Sequence, residues 1–151
     1  MMLKKVSRLL LVIILLNSCN HKVTNYEKIE TFIKKNFNKD LNGYDYLIVI
    51  NEQGDCLNCN NKFSVTLSKY LDNNNVLYLV STPGFNIDVS PYIKKDHSNV
   101  LLDYNNEFSK LDLVKKCAII DFGTKKIDTI IQVDVSNIKS TLNTFTPHPS
   151  P

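Results

Sequence analysis

Tyr46-Leu47-Ile48-Val49-Ile50-Asn51-Glu52-Gln53-Gly54-Asp55-Cys56-Leu57-Asn58-Cys59 decides how the rest of the chain is read. Its first five residues are apolar and rich in β-branched side chains, which predicts a short buried strand. A polar turn follows, and then two cysteines with two residues between them. Beyond Cys59 the apolar residues Phe63, Leu67, Tyr70 and Leu71 recur at helical spacing, so a helix is expected to run to about Tyr70. The CxxC therefore falls where a strand hands over to a helix. Free backbone N–H groups and the positive end of the helix dipole at such a junction stabilise a thiolate.

Downstream, Asp72-Asn73-Asn74-Asn75 ends that helix, and Val76 to Val80 reads as a second buried strand closed by Pro83-Gly84. Phe85 to Ser98 is mixed: either Pro91 opens a short helix through Lys95, or the stretch is largely loop. Val100 to Asp103 is a short strand candidate, with a helix-like pattern from Glu107 to Leu113. Cys117 to Phe122 and Ile127 to Val133 are two strands joined by Gly123-Thr124-Lys125-Lys126, a spacing that predicts a β-hairpin. Val135 to Leu142 is expected to be a closing helix. Thr146 to Pro151 holds no core-forming residue and reads as a disordered tail. Upstream, Tyr26, Ile29, Phe32, Ile33 and Phe37 recur at intervals of three and four among lysines, the pattern of an amphipathic helix.

The first eighteen residues have a different character. Lys4, Lys5 and Arg8 form a positive region, and Leu9 to Leu16 is an unbroken apolar run, too short to span a bilayer comfortably as a helix. The run ends in Leu16-Asn17-Ser18-Cys19, which resembles the lipobox of bacterial lipoproteins. That resemblance implies cleavage before Cys19, acylation of its sulfur and attachment to a membrane by lipid rather than by a spanning helix. Asn20, which is not Asp, implies an outer-membrane destination in the cell envelope. The other reading is an ordinary secretory signal with a chance cysteine. The organisation expected is a signal peptide over 1–18, a lipidated tether and amphipathic helix over 19–40, a domain over 41–145 and the tail over 146–151.

A chain of 151 residues has room for one domain with a real core. Its net charge of +3 equals the contribution of Lys4, Lys5 and Arg8, so the remainder is neutral. No basic face or stripe is visible, which argues against a nucleic-acid partner. The histidines are isolated, no serine sits in a nucleophile elbow, and no glycine-rich phosphate loop exists. Asp121, Asp128 and Asp134 read as solvent-facing or strand-end positions rather than a carboxylate pair. No cofactor is expected.

With Cys19 lipidated, Cys56, Cys59 and Cys117 remain, an odd number. A metal on the CxxC would need two further ligands, and Cys117, His97 and His148 are scattered, so no metal is expected. A static disulfide is the competing reading. A loop this short constrains little unfolded-chain entropy, which shifts weight toward redox work.

The order strand, CxxC, helix, strand, helix or loop, hairpin, helix resembles the thioredoxin superfamily over about residues 44 to 143. It is most similar to the membrane-anchored thiol–disulfide oxidoreductases of the TlpA type, with Val100 to Phe108 like the segment they insert. The fold this implies is α/β, a central mixed sheet of four to five strands flanked by helices. The resemblance further implies Cys56 as attacking thiolate, Cys59 as resolving thiol, and exported protein thiols or a redox protein as partner. The chain departs from the pattern at Asp55, where an aromatic is usual, and at Asn58, where proline is usual. The Asp55 charge should raise the Cys56 pKa. The expected cis-proline, counted back from the hairpin, falls in Lys115 to Cys117, where no proline exists.

Cys117 is therefore expected across from the CxxC. Its distance from Cys56 should be within roughly twice the ~6.8 Å that a disulfide tolerates between Cα atoms, with no bridge formed. The alternative is a small buried residue at a strand start. Lys115 and Lys116 could instead stabilise a thiolate. Glu52 is either a proton acceptor for Cys59 or a solvated turn residue. Two functions stay open, thiol–disulfide exchange and a non-catalytic binding or accessory lipoprotein.

Overall fold

A computed structural model describes residues 23–51, 57–81, 90–93 and 97–147. The expected signal peptide, Cys19 and residues 148–151 of the expected tail over 146–151 lie outside the described residues. The chain is α/β, a five-stranded mixed sheet with helices on both faces, in the order β3–β2–β1–β4–β5. The strands are β1 (Tyr46–Asn51), β2 (Val76–Ser81), β3 (Val100–Asp103), β4 (Ala118–Phe122) and β5 (Ile127–Gln132). Strands β1, β2 and β3 run parallel, and β4 and β5 form the antiparallel hairpin. β1 sits at the centre with five of its six residues buried, which is why it reads as an apolar run rather than an alternating one.

The helices are α1 (Asn25–Phe37), α2 (Leu57–Leu67), α3 (Ser90–Ile93) and α4 (Ile138–Thr144). A capping box starts α1: the Glu27 N–H donates to Thr24 Oγ1 at 3.2 Å, and the Thr24 N–H donates to Glu27 Oε2 at 2.6 Å. Asn38 ends it in the left-handed conformation, with Lys34 and Lys35 in the last turn. Tyr26, Ile29, Phe32 and Ile33 bury one stripe of α1 on the sheet, against Val49, Leu79 and Ile120 among others. The opposite face carries α2, α3 and α4, whose Phe63, Leu67, Tyr92 and Ile138 pack on Ile48, Ile50, Tyr78 and Ile119.

Three elements differ from the sequence expectation, each for a local reason. The closing helix is regular from Ile138 rather than Val135; ahead of it 134–137 form a capped turn, in which the Asp134 carboxylate accepts from the Ser136 and Asn137 N–H groups and its carbonyl from the Ile138 N–H. The helix-like segment after β3 is a 3-10 helix over Glu107–Leu111, stopped by Asp112 at φ 53°. The residue at the hairpin's entry, Cys117, precedes the strand, which begins at Ala118. The ambiguous stretch around Pro91 contains the single turn α3. At the hairpin tip, a Cβ on Gly123 would lie 2.1 Å from the Asp128 carboxylate, so a larger residue there would have to displace that side chain. Residues 145–147 are irregular, with Phe145 edge-on to Tyr46 and Tyr70 and Pro147 buried.

Candidate functional site

β1 ends at Asn51 and α2 begins at Leu57, so the junction expected from the sequence is present, with Cys59 as the third residue of the helix. Glu52, Asp55 and Cys56 lie outside the described residues, as does the side chain of Cys59. What is described is the floor beneath that junction.

Cys117 forms part of that floor. It is a free thiol, 1% exposed, at the start of the hairpin on the α2 face of the sheet. The β1–β4 ladder runs from Tyr46–Asp121 to Val49–Ala118, and beyond it the Asn51 N–H donates to Cys117 Sγ at 3.4 Å. The sulfur thus stands where the ladder would otherwise continue. Its own proton faces Asn60 Oδ1 at 3.3 Å, with the Asn51 carbonyl at 3.6 Å. Asn60 directly follows Cys59. Burial pushes the Cys117 thiol up to about 11, and the Asn51 hydrogen bond offsets only part of that, so the group stays protonated at neutral pH.

Asn60 is the first of three positions that tie α2 down. Ser64 follows one turn later; its Oγ lies 2.5 Å from the Tyr92 hydroxyl, which also donates to the Ser64 carbonyl at 3.0 Å. At Leu67 the backbone carbonyl accepts from the Tyr78 hydroxyl at 2.7 Å. Positions 60, 64 and 67 share one helix face, and each meets a different element: the start of β4, α3 and β2. Desolvation raises the Tyr92 hydroxyl to about 12 and raises Tyr78 further, so both remain neutral donors.

Sequence reasoning named Cys117 but missed Asn60, Ser64 and Tyr92. The available signal was spacing, since Asn60 and Ser64 fall on the stripe defined by Phe63 and Leu67. Lys115 is exposed, with Nζ 3.9 Å from Asp112, and its backbone N–H donates to Gln132 Oε1. Asp128 pairs with Lys126 at 2.9 Å, and Asp134 serves the turn at 134–137, where hydrogen bonds from Ser136 hold its carboxyl below the usual range. His97 lies 3.9 Å from Asp72.

Among the described residues no three His, Cys, Asp or Glu side chains gather as metal ligands, and no helix is long and apolar enough to cross a membrane. A groove of about 580 Å³ runs along the outer flank of α1, lined by Glu30, Thr31, Lys34, Lys35, Lys39 and Asp40. It lies on the α1 side of the sheet, opposite the face that holds Cys117. Compared with models of known protein families, with curated proteins and with solved structures, the chain matches none of them.

Proposed function

We propose that this chain is a thioredoxin-like protein, lipid-anchored through Cys19 in the bacterial cell envelope, that exchanges disulfides with thiols of exported proteins through Cys56 and Cys59. The observation that carries the reading is the position of the CxxC relative to the sheet. Central strand β1 ends at Asn51 and α2 begins at Leu57, the residue after Cys56, and β1 is flanked by parallel β2 on one side and the antiparallel hairpin on the other. In open α/β sheets the carboxyl edge of the strands is where ligands bind. The likeness to TlpA-type oxidoreductases and the lipobox-like Leu16-Asn17-Ser18-Cys19 support the same reading.

In the reducing direction, the Cys56 thiolate attacks one sulfur of a partner disulfide, and the second partner sulfur leaves and takes a proton from solvent. Cys59 then loses its proton to water or to Glu52 and attacks the Cys56 sulfur of the mixed disulfide. The partner leaves as a dithiol, and the protein is left with a Cys56–Cys59 disulfide. Run backwards, the same steps oxidise the partner.

The test is the exchange rate of the wild type with a model disulfide, alongside Cys56→Ser and Cys59→Ser. Cys56→Ser should fall to background, whereas Cys59→Ser should accumulate a mixed disulfide visible by mass. A wild type no faster than an unstructured cysteine peptide would sink the enzymatic reading. It would favour the second one, a non-catalytic binding or accessory lipoprotein. One observation leans that way: the hairpin entry carries a buried, neutral Cys117 where the oxidoreductase pattern has proline.

A further inference from the structure

We propose that Cys117 and Asn60 are a positioning pair that holds the first turn of α2 in register with β1 and thereby sets the reduction potential of the Cys56–Cys59 pair. The proposal rests on the exchange reading above and deepens it by naming what tunes the site. Three observations carry it. The Cys117 sulfur bridges the last residue of β1, through the Asn51 N–H at 3.4 Å, and the residue after Cys59, through Asn60 Oδ1 at 3.3 Å. These contacts bracket the CxxC on both sides in sequence. All three residues are buried, Asn51 at 4%, Asn60 at 7% and Cys117 at 1% exposure, so solvent does not compete for the bonds. The bonds from Tyr92 to Ser64 and from Tyr78 to Leu67 lie one and two turns further on, so of these three ties the one at Asn60 stands nearest the CxxC.

The chemistry follows from what stabilises a thiolate at a helix start. The free N–H groups of the first turn act on the sulfur only while that turn keeps its aim, and their effect fades within a turn. Cys117 is itself a poor nucleophile, because a protonated thiol does not attack disulfides. It acts through Asn60, not by exchange. Losing the bracket lets the first turn loosen, raises the Cys56 pKa and makes the Cys56–Cys59 disulfide harder to reduce.

The experiment is a redox titration of the mature protein against glutathione, with the Cys56 pKa followed by thiolate absorbance. It compares wild type, Cys117→Ala, Cys117→Val, Cys117→Ser and Asn60→Ala. The Ala and Val variants should shift the equilibrium three- to tenfold toward the disulfide, up to about 30 mV more negative. They should also raise the Cys56 pKa. Cys117→Ser keeps a donor for Asn60 and an acceptor for Asn51, and should stay within twofold of wild type. Asn60→Ala should move the potential in the same direction as Cys117→Ala, and the double variant no further. Ala and Val variants with lower melting temperature but wild-type potential and Cys56 pKa would overturn the proposal. So would a Ser variant shifted as far as Ala. If Cys117 variants fail to fold, Asn60→Ala alone decides by the same two readouts. A wild type that does not exchange would refute the proposed function, whereas the Cys56 pKa series would still test the bracket.

Discussion

The two faces of the sheet bury comparable numbers of apolar side chains but are built differently. On the α1 face, Ile29, Phe32 and Ile33 meet Val49, Leu79 and Ile120, with the rings of Phe32 and Phe108 5.3 Å apart edge to face. That core layer is held mainly by packing; its buried polar side chains stand at the ends of β2 and β3, where Ser81 Oγ donates to Asn106 Oδ1 at 2.6 Å and the Asp103 carboxylate accepts from the Glu107 and Phe108 N–H groups. On the α2 face, polar atoms are set into the same kind of core: Asn60, Ser64, the hydroxyls of Tyr78 and Tyr92, and the Cys117 thiol. A buried polar group without a partner costs several kcal/mol, and a net hydrogen bond returns only about 1. A face designed for stability alone would therefore use leucine at these places. The polar bonds specify where α2 sits rather than how firmly it sticks, and α2 is the helix that carries Cys59.

Deleting core volume on each face gives the largest effect and separates the roles. Ile33→Ala and Phe63→Ala each remove a side chain with no exposure, and each should cost about 2–5 kcal/mol in urea denaturation. Only Phe63→Ala should slow the proposed exchange in the fraction that remains folded, because Phe63 lies one turn after Cys59. Equal exchange rates for the two variants would erase the distinction between the faces.

Next in size is a pH effect confined to the α2 face. An ordinary cysteine thiol loses its proton near 9.0, and burial in the fold pushes the Cys117 thiol up to about 11. Below pH 9 the proton is bound in both states and stability does not depend on this group. Between 9 and 11 the unfolded chain has lost the proton while the fold keeps it, so rising pH favours unfolding. The slope is about 1.4 kcal/mol per pH unit, or about 2–3 kcal/mol across the window. Urea midpoints of the disulfide form at pH 8 and pH 10.5 should diverge more for wild type than for Cys117→Ala. Parallel behaviour would mean that the thiol is more accessible than its burial indicates.

The smallest expected effect is on the α1 face. Thr24→Ala removes the capping box and should cost about 1 kcal/mol, with the exchange rate unchanged. A change in exchange would show that α1 communicates with the CxxC and is more than a cover.

Much of this organisation was legible beforehand. The strands at 46, 76, 100, 118 and 127 and the helices at 25 and 57 follow from apolar runs and helical spacing, which are properties of neighbours in sequence. The closing helix is regular only from Ile138, three residues later than the apolar pattern predicts, because residues 134–137 form a separate turn capped by the Asp134 side chain. Asn60 was passed over because an asparagine in a run of asparagines reads as solvated helix surface. Its burial depends on which side of α2 the hairpin occupies.

The sequence by itself determined the elements, the two apolar stripes and the CxxC at a strand-to-helix handover, since each depends on contacts within a few residues. Only the tertiary structure decided that β4 lies beside β1 and that the Cys117 sulfur meets Asn51 and Asn60, 66 and 57 residues away. Strand order is a choice among long-range pairings whose local patterns are alike. The partners of a buried polar group exist only once that choice has been made.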